Sequence, residues 1–245
     1  MLNGSVSRIT IRNYDLSIVF LSGKQIGMAA VKRKPKHEAR QARNDVYRQH
    51  IFAAAEQVFA ERGFEATKVQ DISSLVGLSM GTIYAVFPSK EDLFRAILDD
   101  RGRELLQVAR DVVDRQAPPR ETLRALSAAY IEYFFAHPNF LRMHLREGTS
   151  WVLSPTAGAD GRAQLWKAIH DSQTEIFRRG VAAGVFVDEP PSYLAKLFSA
   201  MDQVLLAEWV AGGMKAERTQ LVRRLQQLVE RAFCVPPSPA RVRRG

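Results

Sequence analysis

Residues 67–87, TKVQDISSLVGLSMGTIYAVF, decide the fold of this chain. They contain two short helical patterns that meet at Gly77, and a glycine turn between two such helices is typical of a helix-turn-helix. Thr67 followed by Gln70 three residues later predicts a capping box at the start of the first of these helices. Its buried face is predicted from apolar residues at helical spacing, Val69, Ile72 and Val76.

The second helix of this pair carries the residues that would meet DNA. We predict that Ser79 caps it and that Pro88 ends it, with Ile83 and Phe87 on the inner face. The residues at the N-terminal end of a recognition helix are the ones that reach base edges in the major groove. Gly81 at that end weakens the helix by roughly 1 kcal/mol relative to alanine, and close approach of the backbone to DNA is one reason to accept this loss.

Helical patterns also flank the pair. A first helix is predicted before Gly63, which can supply a left-handed stop, and Ser89 with Asp92 indicates the cap of a long fourth helix over residues 89–113. The apolar face of the first helix is Ile51, Ala54, Ala55, Val58 and Phe59. A plain three-helix packing unit is the less favoured alternative, because such a bundle has no need of Gly-x-Ser at the turn and Gly-Thr after it.

Residues 67–94, TKVQDISSLVGLSMGTIYAVFPSKEDLF, resemble the DNA-binding domain of the tetracycline-repressor (TetR) family of bacterial regulators. The block that carries the resemblance, residues 46–98, covers roughly a fifth of the chain. The resemblance implies an all-α fold, in which a three-helix DNA-binding domain is followed by a helical ligand-binding and dimerisation domain. We therefore expect a DNA-binding domain over residues 45–92 and a ligand-binding and dimerisation domain over residues 93–234.

The resemblance also implies which residues contact DNA. Positions that open the second helix or touch phosphates in the family correspond here to Thr67, Lys68, Tyr84 and Lys90. Base-reading and groove-lining positions correspond to Ser79, Met80, Gly81 and Thr82. The chain departs from the family at Ala85 and Val86, where bulky aromatic or histidine side chains are common. Two alternatives stay open: Tyr84 as a half-buried core residue, and Thr82 as a hydroxyl bonded to its own helix.

The charge of the chain agrees with a polyanionic partner. Lysine and arginine number 35 against 26 acidic residues, giving a formal net charge of +9. Such a balance suits nucleic acid but also fits an ordinary basic protein. A cluster of basic residues precedes the first helix, and it could lie along phosphates or be a solvated leader. The cluster consists of Lys32, Arg33, Lys34, Lys36, Arg40, Arg43 and Arg48.

The two ends of the chain have no clear pattern of folded structure. Residues 1–27 show no helical period, and their apolar run over residues 16–21 is shorter than the ~20 residues that span a bilayer. We expect residues 1–44 to be a disordered basic leader, with Met28 as the natural start, and residues 235–245 to be a disordered tail. The lone Cys234 excludes an internal disulfide and fits a reducing, cytoplasmic location with no membrane partner.

The remaining sequence reads as helices joined by short connections. Helices are predicted over residues 120–137, 138–148, 164–181, 192–210 and 217–233, with a loop over 149–161. The last two carry apolar stripes that could form a four-helix bundle between two protomers of a homodimer. The residues predicted at this interface are Leu197, Met201, Leu205, Trp209, Leu221, Leu225 and Leu228.

Bulky apolar residues on the middle helices suggest a cavity for a small hydrophobic effector. Aromatic and methionine side chains between helices commonly line such cavities, although each of these residues could equally well fill a core. Taken together they suit the effector pocket that the family resemblance implies. The predicted ligand-binding residues are Phe134, Phe135, Phe140, Met143, His144, Trp151, Trp166 and Phe177.

No catalytic motif is visible in the sequence. It has no glycine-rich phosphate loop, no G-x-S-x-G elbow and no CxxC, so we expect neither an enzyme nor a cofactor. His144 and Glu147 have helical i, i+3 spacing, but two ligands without a third are weak grounds for a metal site. Three function classes remain: a homodimeric repressor that leaves its palindromic operator DNA when it binds an effector, a ligand-independent architectural or division-linked DNA-binding protein, and an enzyme fused to a helix-turn-helix.

Overall fold

The structure is a computed structural model that describes residues 6–11, 14–19, 36–146 and 161–236, with side chains over residues 46–146 and 164–236. Within these ranges it contains nine helices and one two-stranded sheet. The chain divides into two compact units, residues 1–51 and residues 52–245, and each is described by itself. The tryptophan at 151, most of the loop predicted over 149–161, and nearly all of the predicted C-terminal tail lie outside the described residues.

The first unit contains an antiparallel hairpin and the beginning of a helix. Strand β1 (Val6–Ile11) pairs with strand β2 (Tyr14–Val19), and helix α1 (Lys36–Arg62) begins before residue 45. At these residues the structure differs from the disordered leader that we expected over residues 1–44. Both strand segments contain β-branched residues, and residues 36–45 contain no glycine or proline, so local propensity accounts for these elements. The expectation rested on the missing helical period of residues 1–27 and on the basic residues that follow them, and neither excludes a hairpin or a helix.

In the described residues of the second unit, the regular structure is helical apart from one isolated bridge between Phe186 and Cys234. After α1 come α2 (Val69–Val76), α3 (Met80–Val86), α4 (Lys90–Val113), α5 (Pro119–Ala136), α6 (Pro138–Arg146), α7 (Gly161–Ala182), α8 (Pro191–Ala211) and α9 (Arg218–Phe233). The all-α prediction is confirmed, and the predicted helices agree with these bounds to within a few residues.

Aromatic side chains hold α1, α3 and α4 together at the N-terminal end of this unit. The ring of Phe59 meets the edge of Phe94 at 5.0 Å between centroids, and Phe64 lies 4.9 Å from Phe94. Phe52 stacks on Phe87 at 5.4 Å. Large buried rings of this kind account for most of the apolar area that a small three-helix unit can remove from water.

The C-terminal helices form a second, larger core. Helix α7 packs against both α4 and α8, and α5 packs against α4 and α9. A second group of rings surrounds Phe177, which lies 5.1 Å from Phe233 and 5.4 Å from Phe186. Helix α4 approaches α7 at Gly102, where an added Cβ would lie 2.5 Å from the side chain of Leu165. The long helix α4 thus belongs to both cores.

Candidate DNA-binding surface and ligand cavity

The turn between α2 and α3 is fixed by a few local contacts. Gly77 ends α2 with φ at 70°, a left-handed conformation that glycine adopts without strain. The hydroxyl of Ser73 donates to the carbonyl of Leu78 at 2.6 Å, across the turn. Ser79 caps α3 as predicted, because its Oγ accepts a hydrogen bond from the backbone N–H of Thr82 at 3.1 Å. These contacts set the angle at which α3 leaves the turn.

Among the described residues, the outer face of α3 is largely exposed. Ile83 and Phe87 are buried as predicted, whereas Tyr84 is 43% exposed and Gly81 is exposed. The hydroxyls of Ser79 and Thr82 lie 2.9 Å apart on this face and bond to each other. The first turn of α3 therefore presents small polar groups, a glycine and a tyrosine hydroxyl to the outside, which is the kind of surface that can enter a DNA groove.

None of the described residues around Gly81 requires a glycine at this position. Its φ is not in the left-handed region, and an added Cβ would meet the nearest atom, Oγ of Ser79, at an ordinary contact distance of 3.8 Å. Alanine would therefore fit and would favour the helix.

Helix α2 starts one residue later than we predicted. Thr67 is 2% exposed, and its hydroxyl donates to the carbonyl of Gly63 at 2.6 Å, so this side chain is unavailable to a phosphate. Lys68 caps the helix and is exposed, and its backbone N–H donates to the carboxylate of Asp71 at 3.2 Å. Asp71 thus takes the capping role that the sequence pattern assigned to Gln70.

The ammonium group of Lys90 is used largely inside the protein. Its Nζ donates to the carbonyl oxygens of Phe64 at 2.8 Å and Thr67 at 3.2 Å, and it lies 4.3 Å from the centre of the Phe64 ring. Lys90 therefore ties the start of α4 to the loop before α2. An ammonium group has three hydrogens, so one remains for another acceptor.

A small cavity lies among α4, α5, α7 and α8. Its volume is about 20 Å³, which is room for about one water molecule. The wall is apolar and aromatic on one side and polar on the other. The residues that line it are Leu105, Tyr130, Phe134, Trp166, Ile169, His170, Gln173, Ser199 and Asp202.

Three of the polar residues at the cavity bond to one another. The hydroxyl of Ser199 donates to Oε1 of Gln173 at 2.9 Å, and Nε2 of Gln173 donates to the hydroxyl oxygen of Tyr130 at 3.2 Å. Burial raises the pKa of Tyr130, so its hydroxyl keeps its proton. These two hydrogen bonds, which run from α8 through α7 to α5, fix the positions of the three side chains.

Asp202 differs from the other polar residues of the cavity. It is 1% exposed, and its Oδ1 has no hydrogen-bond partner among the described residues. Burial raises the pKa of this carboxyl well above its ordinary value. A buried carboxyl oxygen without a partner is rare, because leaving it unpaired opposes folding by about 1–3 kcal/mol.

The structure places the predicted ligand-binding residues in three different surroundings. Phe134 and Trp166 line the cavity. Behind them, Phe140 stacks on Phe134 at 6.1 Å and His144 stacks on Trp166 at 5.3 Å. Met143 is buried in the same helix as Phe140 and His144, but the wall that we expected from this helix, α6, is supplied by α8 instead.

Two predicted ligand residues lie away from the cavity. Phe135 points outward and stacks on Trp209 at 5.1 Å, and Phe177 belongs to the ring cluster around Phe233. Neighbours in a helix face different sides, so Phe135 cannot share the orientation of Phe134. The polar residues of the cavity were missed because a search for aromatic residues passes over them. The signal for Asp202 was an acidic residue within the apolar pattern of α8.

The residues of the predicted dimer interface fall into a buried group and an exposed or partly exposed group. Leu225 is fully buried within the protomer, and Leu205, Trp209 and Leu221 are largely so, because these residues pack α8 and α9 into their own core. They are therefore not available to a partner, which differs from the interface that we predicted. Leu197 is exposed, and Met201 and Leu228 are partly exposed. Two exposed apolar residues of α8 were not predicted, Tyr193 and Val204, of which Val204 is 64% exposed.

A buried ion pair connects α4 to α1. The guanidinium Nε of Arg101 lies 2.6 Å from Glu56 Oε1, and Nη1 lies 2.8 Å from Glu104. The hydroxyl of Tyr133 on α5 lies 2.9 Å from both Glu104 Oε2 and the Arg101 carbonyl. Burial acts to lower the pKa of Arg101, but hydrogen bonds to the two carboxylates outweigh burial and raise it.

The described residues offer no sign of other chemistry. They hold no group of three histidine, cysteine, aspartate or glutamate side chains that could bind a metal ion. None of the helices that the structure describes is long and apolar enough to cross a membrane.

Comparison with known proteins identifies relatives of the chain. The family model for bacterial regulatory proteins of the tetR family matches residues 51–97. The HTH-type transcriptional repressor NicS of Pseudomonas putida is 31% identical over 157 residues, which cover 64% of this chain and 73% of NicS.

Solved structures share the fold. A bacterial regulatory protein of the tetR family from Rhodococcus RHA1 superposes with a TM-score of 0.66 at 22% identity, covering 77% of this chain and 98% of that one. The transcriptional regulator FadR from Bacillus subtilis, in complex with stearoyl-CoA, gives a TM-score of 0.61 at 17% identity over 74% of this chain and 96% of FadR.

Proposed function

We propose that this chain, which belongs to the TetR family of bacterial regulatory proteins, is a repressor that binds a palindromic operator as a homodimer and leaves it when an effector binds. The observation that carries the proposal is the exposed first turn of α3, held by a local cap on a helix-turn-helix. NicS is itself a transcriptional repressor, which supports the direction of regulation.

We infer distinct roles in DNA binding for the residues on and around α3. Ser79, Gly81 and Thr82 would enter the major groove, where small polar groups and bare backbone can reach base edges. Tyr84 and the exposed Lys68 would contact phosphates, and so would the remaining hydrogen of Lys90. Met80 at the start of α3 would line the groove. The main task of Lys90 would be to hold the loop before α2 in place.

The homodimer would form through α8 and α9. A single α3 reads too few base pairs to find one site in a genome, whereas two copies related by a twofold axis read a palindrome. Exposed apolar residues on α8 repeat at helical spacing at Leu197, Met201 and Val204, and Leu228 of α9 lies in the adjoining groove. A contiguous apolar patch of this kind on a soluble protein marks an interaction surface.

The effector would act through α4. A ligand can release DNA only if it binds the DNA-incompetent arrangement more tightly than the competent one. Helix α4 lines the cavity with Leu105, pairs with α1 through Arg101, and begins at Lys90 beside the α1–α2 loop. A shift of α4 at the cavity would therefore reach the recognition helix. FadR was solved with a bound small molecule, which supports a ligand site in this fold.

Selection of binding sites from random double-stranded DNA by the purified protein tests this function. We expect a palindrome whose half-sites are separated by about one turn of DNA, ~10 base pairs, or a modest multiple of it. Tyr84→Phe should weaken binding to that site, whereas Thr174→Ala, which removes a hydroxyl that bonds within α7, should not. Binding with no sequence preference would contradict the proposal and favour an architectural DNA-binding protein.

A further inference from the structure

The cavity contains one acceptor that the protein leaves unused. Oδ1 of Asp202 is buried and has no hydrogen-bond partner among the described residues, while Ser199, Gln173 and Tyr130 are bonded to one another. Native proteins pair nearly all buried polar side chains, so an unpaired carboxyl oxygen at a cavity calls for a ligand or an ordered water.

The surroundings of Asp202 indicate the charge of such a ligand. Among the described residues, no lysine or arginine lines the cavity, and the other titratable groups that line it are Tyr130 on α5 and His170 on α7. Burial, and then the charge of Lys196, lower the pKa of His170, which favours its neutral form. A positive group entering the cavity would therefore meet a carboxyl and no resident cation.

The aromatic wall favours the same charge. Tyr130, Phe134 and Trp166 line the cavity. The face of an aromatic ring attracts a cation, and the attraction grows when water is excluded. An ammonium group attached to an apolar body would satisfy both sides of the cavity, the carboxyl and the rings.

We propose that the effector is a small organic amine whose ammonium group pairs with Asp202 and whose apolar body packs against the rings of Trp166, Tyr130 and Phe134. This inference rests on the proposed effector function of the cavity. It replaces the purely hydrophobic ligand expected from the sequence with a cationic one.

The size of the cavity connects this binding to release of DNA. At about 20 Å³ it holds about one water molecule, so an amine must push the walls apart to enter. Packed helices move as units rather than deforming gradually. One wall is α4 at Leu105, and α7 touches the same helix at Gly102, where no space is left for a side chain. Entry of the ligand would displace α4.

Binding should also release a proton. Because burial raises the pKa of Asp202, its carboxyl holds a proton to a higher pH than an exposed aspartate would. An ammonium partner favours the carboxylate, and the carboxyl proton then leaves for solvent. Amine affinity should accordingly rise about tenfold per pH unit as long as the carboxyl is protonated in the free protein and the amine remains charged.

Calorimetry on the full chain tests the proposal with three probes that share one ring: benzylamine, benzyl alcohol and benzoate. We expect benzylamine to bind at least about tenfold more tightly than benzyl alcohol, and benzoate to bind most weakly. Asp202→Asn keeps the shape but removes the charge, so benzylamine should weaken by about tenfold or more while benzyl alcohol changes little. Ser199→Ala, at the same cavity, is the control and should keep the preference for the amine.

Equal binding of the three probes, no benzylamine binding at millimolar concentration, or an unchanged preference in the Asn variant would overturn the proposal. If Asp202→Asn does not fold, the relative affinities of the three probes for the wild type still test the proposal. Benzylamine titrations in buffers with different ionisation enthalpies should show release of a proton, and no release would contradict the carboxyl role. If benzylamine bound through Asp202 but left an operator complex intact, the proposed coupling to DNA release would be rejected, whereas the amine site would stand.

Discussion

Helix α3 and the cavity differ in where their polar groups find partners. On α3, the hydroxyl of Ser79 bonds within one turn, to Thr82, and the face that these residues share stays exposed. At the cavity, Tyr130, Gln173 and Ser199 come from three helices, and Asp202 has no partner for one oxygen among the described residues. The first region is defined by neighbours in sequence and the second by neighbours in space.

This difference explains what each region can recognise. A locally capped, exposed helix can meet a large, rigid partner such as a DNA groove without rearrangement of the protein. A nearly closed cavity can accept a ligand only by moving its walls, so binding there is coupled to a change in the positions of helices. We therefore expect substitutions on α3 to change DNA binding and substitutions at the cavity to change ligand binding.

The largest difference should appear between two apolar residues of the proposed dimerisation helices. Leu225→Asp places a charge in the protomer core, and the expected loss of several kcal/mol approaches the whole stability of a typical domain, so the variant should not fold. Val204→Asp alters a residue that is 64% exposed, so the variant should fold but remain a monomer without specific operator binding. Thermal unfolding and light scattering distinguish the two, and a dimeric Val204→Asp variant with full operator affinity would contradict the proposed interface.

The connection between α4 and α1 should show the next largest effect. Arg101→Met removes the partner of Glu56, a carboxylate that is 6% exposed, and should lower the free energy of unfolding by about 3–5 kcal/mol. Arg103→Met is the matched control on the same helix. Its guanidinium pairs with Asp100 at the surface, and losing such a pair lowers stability by less than about 1 kcal/mol. Similar losses in both variants, measured by urea unfolding, would show that the buried pair does not hold the two helices together.

The same contrast explains how far the sequence could predict the molecule. The turn at Gly77, the Ser79 cap and the helix bounds depend on residues close together in the chain, and their patterns predicted them. The cavity depends on which faces of α4, α5, α7 and α8 meet. Trp166 and Phe134 were recognised from their size, but nothing in the local pattern indicated that Gln173, Ser199 and Asp202 would be brought to the same place.

Residues of one helix that look alike in the sequence were the other source of error. Phe134 and Phe135 look alike in composition, yet one lines the cavity and the other stacks on Trp209 at the surface. Leu225 and Leu228 share a predicted stripe, but only Leu225 is completely buried in the protomer. Periodicity finds an apolar face without showing whether that face meets its own protomer or a partner.

A smaller effect, with opposite signs for stability and DNA binding, is expected at Gly81. Gly81→Ala should raise the free energy of unfolding by about 0.5–1 kcal/mol, because alanine favours the helix and its Cβ fits. The same variant should weaken operator binding if the bare backbone approaches DNA. Ala85→Gly, on an exposed position of the same helix, is the control that should lower stability by a similar amount. Unchanged or tighter operator binding by Gly81→Ala would remove Gly81 from the DNA contact.

The most direct test of whether α3 reads bases compares the operators that the wild type and Thr82→Ala select from random double-stranded DNA. The account predicts a palindrome for both proteins, with the base preference changed at one symmetric position in each half-site by about 1–3 kcal/mol. Thr174→Ala is the control, because that hydroxyl bonds to a carbonyl within α7. If Thr82→Ala selected the same sequences with the same affinities as the wild type, α3 would not read bases through this residue, and the assignment of its exposed face to DNA would be contradicted.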